Sequence, residues 1–459
     1  MSGTADDFLP ALSRAARDMA FERLPPEVVA MAKQCLLDWL GCAIAGSVDP
    51  LVEILIADAL DGGEVGPAAL VGRSERTGLL SAILINGAAG HALDYDDSNT
   101  LIMGHPTAPL APVVLALGEA RGSRGKAVLE AFVAGYETSA TVGRLMTARH
   151  YKAGFHSTAT LGAFGAAAAG GRLLGLDEAG LGAAFGLAGT RAAGLRASFG
   201  TMAKPLHAGH AAWVGASAAR WAARGFTAAP DIFADPRGFP ASHVAEPRFE
   251  AALGPLPGGW AILNNRFKWH AACHGTHCII DAVSELREAQ ALAPERVRGV
   301  ALRLPANART VCGIEAPSTG LESKFSLRMM AAFALADVDT ASPASFSDAN
   351  ARDPALNALR ERVTVIYDPD MEAGGEAVIE LADGRTFART TDPLRDPIDI
   401  AAQARRARGK FESLATPVLG AAAAREVADQ VLALEGVEDV GVVVRAVTPV
   451  RESASAASR

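Results

Sequence analysis

Through the first 265 residues, apolar positions recur at helical spacing in runs separated by Pro, Gly or Asp turns. Leu24-Pro25-Pro26-Glu27 opens one such run, since Pro is tolerated in a first turn and Glu suits the positive end of a helix. Its apolar residues continue to Ile44 and close at Gly46. Further helices are predicted over about 77–94, 107–121, 125–147, 157–174, 177–197 and 205–224. No segment before residue 265 alternates apolar and polar residues long enough to make a convincing strand.

The pattern changes after about residue 295. Arg296-Val-Arg-Gly-Val-Ala-Leu-Arg-Leu largely alternates with period two, as a half-buried strand does. Two more strand-like runs, from Arg362 and from Glu376, precede Asp383-Gly384, a strong hairpin signal, and a further run from Arg385. Between them Phe325 to Ala336 is helical, and helical spacing returns after Pro397 to about residue 435. The predicted fold is mainly α. A large all-helical domain takes residues 1–267 and 400–459, and a smaller α+β domain is inserted at 268–399. The Ala/Ser-rich last seven residues are expected to fray.

Composition narrows the classes. The 459 residues carry 43 Lys+Arg against 51 Asp+Glu, a net charge of −8, which argues against a nucleic-acid partner. The one dense basic run, Arg405-Arg406-Ala407-Arg408-Gly409-Lys410, reads as a solvated helix face. Abundant Ala and Gly predict closely packed helices. Ser98 to Gly118 and Ala153 to Gly171 lack Lys, Arg, Asp and Glu, but their His, Pro and Gly mark them as buried helices with lead-in loops and not membrane spans. Five cysteines without a pairing framework, and an acidic N-terminus unlike a signal peptide, point to a cytoplasmic protein.

All ten histidines lie between residues 91 and 277, in compact polar groups set among apolar helix ends. The first group is His91-Ala-Leu-Asp94-Tyr-Asp96-Asp97-Ser98 with Gly104-His105-Pro106-Thr107. Three carboxylates in four positions raise at least one pKa unless paired; the segment is either a solvated acidic loop or an acid/base loop with His105 at its exit. The second, His150 to Thr158, precedes a Gly/Ala helix, so His156 stands where an anion is favoured, with Ser157 or Thr158 as a plain N-cap the alternative. The third, Gly200 to His210, puts Lys204 at a helix start, against the dipole; a bound carboxylate is the simplest reason, an outward-pointing lysine the other.

In the fourth group, Phe267 to Cys278, His270, His274 and His277 have the spacing of one helical face, but no acidic ligand completes a metal site and Gly275 interrupts it. No metal is expected. The chain also lacks a Gly-x4-Gly-Lys-Ser/Thr loop, a strand-linked Gly-x-Gly-x-x-Gly, a Gly-x-Ser-x-Gly elbow and a His-Glu-x-x-His motif, which lowers nucleotide, hydride-transfer and serine-hydrolase readings.

At these four groups the sequence resembles the MmgE/PrpD family, which includes 2-methylcitrate dehydratase, cis-aconitate decarboxylase and iminodisuccinate epimerase. The matching stretches are Asn86 through Ser98, Gly104-His-Pro, Gly154-Phe-His-Ser-Thr, Lys204-Pro-Leu-His207 and Lys268 through His277, in order along nearly the whole chain. The resemblance implies a helical domain with an α+β lid, a homodimer, and cofactor-independent chemistry on a small polycarboxylate. It places Asp94, His105, His156, Lys204 and Lys268 at active-site positions and Ser98 at a small-hydroxyl position. His207, Cys273 and His274 join the substrate-binding set, Cys273 standing where the decarboxylase branch has a histidine. Lys204 and Lys268 would hold carboxylates, His156 would be the base, His105 the acid, and Asp94 would orient an imidazole. A lyase of the dehydratase or decarboxylase type is the expected activity, and an epimerase of an iminodisuccinate-like acid is the alternative. A noncatalytic polycarboxylate-binding protein is a remoter one.

Overall fold

A computed structural model describes residues 3–392 and 398–449. Pro397 and the Ala/Ser-rich tail lie outside them. The chain divides into two compact units, Met1–Phe267 with Asp399–Arg459, and Lys268–Ile398.

The first unit is built of helices, with one short antiparallel ribbon, Ala68–Ala69 against Arg76–Thr77. At its centre the helix Ala203–Ala222 packs against Leu79–Ala92, Thr107–Arg121, Gly162–Leu174 and Glu178–Gly189. Small side chains permit this. A Cβ on Gly209 would come within 2.1 Å of the Leu84 carbonyl oxygen, and one on Gly215 within 2.3 Å of Ala166 Cβ. Close approach at Gly209 brings the first turn of that helix, with Lys204, alongside the helix that ends just before Asp94. The helix Pro26–Gly46 is long and apolar enough to cross a membrane, but 83% of its apolar window is buried inside the protein, so it is a core helix.

Two boundaries differ from those predicted by more than two residues. The helix Gly125–Lys152 runs beyond residue 147, although its regular geometry breaks at Thr147, with φ 58°. The helix predicted over 177–197 stops at Gly189. Beyond it Gly194 takes φ 150°, open to glycine and strained for other residues, and its carbonyl accepts the His156 N–H at 3.0 Å. A tertiary hydrogen bond here overrides local helix preference.

The second unit holds a four-stranded sheet in the order Val363–Asp368, Val297–Pro305, Gly375–Leu381, Thr386–Thr391. The first two strands pair parallel and the others antiparallel. The last two form a hairpin through Asp383 and Gly384, where Gly384 has φ 87°. The helix His274–Ala289 packs on those two strands and on the helix Leu327–Leu335.

Candidate active site

Asp94, Asp96 and Asp97 follow the helix Leu79–Ala92, and each is held by a different element. Asp94 has φ 51°, a left-handed conformation that costs a non-glycine residue about 1 kcal/mol or more. This reversal turns its carboxylate to Lys204, with Nζ to Oδ2 at 2.8 Å. Its Oδ1 is 3.7 Å from His105 Nε2. Asp96 accepts a hydrogen bond from His91 Nδ1 at 2.8 Å. The Asp97 carboxyl accepts from the Thr107 hydroxyl at 2.5 Å, at the start of the helix Thr107–Arg121.

The imidazoles stand side by side. His105 Nδ1 lies 2.7 Å from the Asp97 carbonyl; because a carbonyl only accepts, Nδ1 carries a proton and Nε2 is the atom free to exchange one. The His105 backbone N–H donates to Thr158 Oγ1 at 3.0 Å. Ring centroids of His91 lie 4.5 Å from His105 and 6.0 Å from His156. His156 Nδ1 is 3.0 Å from His207 Nδ1, a contact in which one ring donates to the other. The edge-on ring of Phe199 is 5.0 Å from His156, and Lys204 Nζ is 5.3 Å from the same ring.

Burial sets the protonation states. It pulls His91 down to about 4 and is opposed by Asp96. It also drives His156 well below the ordinary imidazole value, helped by the charges of His91, Lys204, His105 and His207. His207 is lowered too, by burial and then by His210 and Lys204. Burial is also the largest influence on Asp96 and would raise it, but His91 and His105 outweigh it and hold the carboxyl well below its usual range. At neutral pH the arrangement is therefore an Asp96 carboxylate accepting from a neutral His91.

Asp97 is pushed up to about 7 by burial, with Asp38 and Asp96 adding to the rise, as carboxylate crowding predicts. A carboxyl that holds its proton more tightly when folded gives stability that is full below its unfolded value of 3.8 and lost as pH rises through about 7. The variant Asp97→Asn should flatten the fall in melting temperature between about pH 4 and about pH 7. An unaltered slope would show that other groups cause it.

Several expectations need correction. The acidic segment is not a solvated loop, because Asp96 and Asp97 are 0% and 1% exposed. Lys204 pairs with Asp94, whose other oxygen faces His105 Nε2 at 3.7 Å, and Asp96 is a second carboxylate on an imidazole. His156 itself occupies the N-cap position of Ser157–Thr160, so neither Ser157 nor Thr158 is the cap. The fourth group does not share one helical face, since the helix begins at His274 and His270 precedes it, bonded to Thr340 and Asp281.

The structure thus brings together Asp94, His105, His156, Lys204 and His207. Ser98 lies on the same loop, its backbone paired with Arg266 through two 2.8 Å hydrogen bonds. Lys268, Cys273 and His274 belong to the second unit, where Cys273 precedes the helix that His274 starts. Phe199 was not named from sequence, and His91, Asp96 and Thr158 stood in the polar groups without an assigned part in the site. His91 and Asp96 are five residues apart, which is no helical-face spacing, and the left-handed Asp94 lies between them.

One ligating atom from each of His91, Asp94, Asp96 and His105 lies within 4.8 Å of the others, a grouping that a metal ion could use. Those groups already have partners in each other and in Lys204, whose ammonium supplies the local positive charge.

The MmgE/PrpD N-terminal domain profile matches residues 11–252, and the C-terminal domain profile matches residues 270–435. A cis-aconitate decarboxylase of Aspergillus terreus is 26% identical over 93% of this chain and 92% of its own length. The human cis-aconitate decarboxylase is 28% identical over 80% of this chain and 79% of its own. A cis-aconitate decarboxylase-like protein of Aspergillus oryzae is 32% identical over 58% of each chain. The chain belongs to the MmgE/PrpD family and is an enzyme of its lyase and dehydratase type.

Proposed function

We propose that this enzyme removes carbon dioxide or water from a small di- or tricarboxylic acid, with cis-aconitate the first candidate, working without a cofactor as a cytoplasmic homodimer. One observation carries it above the rest: a buried lysine ammonium on Asp94, beside closely packed imidazoles held mostly neutral. Both reactions develop negative charge next to a carboxylate, and a fixed cation with an acid and a base lowers that barrier.

In the proposed reaction, Lys204 binds a substrate carboxylate. His156 donates Nδ1–H to His207, which leaves the lone pair on Nε2 as the base. In dehydration that atom takes the carbon-bound proton, and His105, protonated at Nε2, gives a proton to the departing hydroxyl. In decarboxylation of an unsaturated acid, the bond to the lost carboxylate breaks. Its electron pair shifts into a new double bond, and the carbon at the far end of the old one takes a proton from His105. Lys268, Cys273 and His274 enter as substrate contacts on the family resemblance, and Ser98 fixes the backbone at Arg266, two residues before Lys268.

The test is incubation in heavy water with cis-aconitate, citrate, 2-methylcitrate and iminodisuccinate, followed by proton NMR. A lost carboxylate or a new alkene is expected. Deuterium uptake with an unchanged skeleton would replace the lyase with an epimerase.

A further inference from the structure

The basic run that reads as a solvated helix face has one basic member that is not solvated. Arg405 and Arg406 are exposed, and Arg408 pairs with Glu412 and Asp429, but the Lys410 side chain is only 5% exposed. It projects from the helix Ile400–Leu419 toward the core helix Pro26–Gly46, where its Nζ lies 2.7 Å from Asp38 Oδ1. The same Nζ donates to the Tyr95 carbonyl at 2.7 Å and sits 3.8 Å from the centre of the Tyr95 ring.

Tyr95 stands between Asp94, which pairs with Lys204, and Asp96, which pairs with His91. Neither helix nor strand holds this segment, and Asp94 enters it in a left-handed conformation. A fully buried ion pair is a poor stabiliser, since apolar side chains of the same volume commonly do as well or better. It is, however, a directional one: an ammonium fixed by a carboxylate presents a strong donor to one backbone carbonyl. We infer that Lys410, anchored by Asp38, is a positioning residue that holds the Tyr95 carbonyl and so aims the Asp94 and Asp96 carboxylates at Lys204 and the imidazoles.

This inference rests on the lyase site proposed above, so the test separates the two. Lys410→Met, Lys410→Arg and the double variant Asp38→Asn/Lys410→Met are compared with Lys204→Met for turnover of cis-aconitate, and for hydrogen exchange of the peptide carrying Tyr95 to Asp97. The double variant removes both buried charges together, which avoids leaving an unpaired carboxylate. Expected for Lys410→Met and the double variant is a fall in kcat of about 10- to 100-fold with KM changed less than about threefold. Exchange at Tyr95 to Asp97 should rise about tenfold or more while the helix Ala203–Ala222 keeps its protection. Lys410→Arg, which keeps a cationic donor, should recover part of the loss.

A folded double variant with wild-type kcat and unchanged exchange overturns the inference. So does failure of every Lys410 variant to fold, which makes the pair a structural element. Wild-type kinetics in Lys204→Met would instead sink the site reading. If the wild-type protein does not turn over cis-aconitate, the exchange measurement still decides the positioning role.

Discussion

Replacing His156 with Gln removes dehydration, the reaction in which it takes the carbon-bound proton, with kcat expected to fall by about 10²- to 10⁴-fold, the range of a lost general base. The substitution isolates proton transfer from packing. Gln is uncharged, as buried His156 is at neutral pH, and its amide can still donate toward His207, as His156 Nδ1 does in the proposed mechanism. The melting temperature should stay near that of the wild type, and deuterium incorporation into substrate from heavy water should disappear. Retained exchange in a folded variant would remove His156 from the role of base and shift attention to His105, whose Nε2 is free to exchange a proton while Nδ1 is held by the Asp97 carbonyl.

Lys204→Met is the second large effect, and it acts twice. Loss of a cation positioned for developing charge should cost about 10²- to 10³-fold in kcat. KM should rise as well, because the same ammonium is proposed to bind the substrate carboxylate. The second effect is on the pH profile. Burial first, then the charges of His91 and Lys204, hold His156 well below 6.5 in the wild type, so the acid limb of activity should lie below that value. A base with a depressed pKa is lost only as pH falls through that lower value. Removing the Lys204 charge should therefore move the residual acid limb to higher pH, toward 6.5. An acid limb that does not move would show that Lys204 does not act on His156, whatever it does to substrate.

Much of this site is legible along the chain because its residues come in short polar groups at the ends of apolar helices. His105, His156 and Lys204 each interrupt a stretch where a polar or cationic side chain needs a reason, and Lys204 against the helix dipole has one in Asp94. The roles of neighbours within a group are not legible. Asp94, Asp96 and Asp97 are equivalent by type and adjacent in sequence, yet one pairs with an ammonium, one with an imidazole, and one is pushed up to about 7 beside Thr107.

By itself the sequence determined the mainly helical plan, the α+β character of the stretch after residue 295 and the Asp383-Gly384 hairpin, because periodicity and turn chemistry are local properties. It also determined the family, since motifs in a fixed order are a one-dimensional signal. Tertiary structure decided what depends on partners far along the chain. It set the strand Val363–Asp368 parallel to Val297–Pro305 and not beside the strand that follows it, Gly375–Leu381, ended a helix at Gly189, and turned Lys410 inward from a run that looks solvated. In each case a contact with a distant residue outweighs a local preference of about 1 kcal/mol or less per residue, and such contacts leave no trace in local spacing.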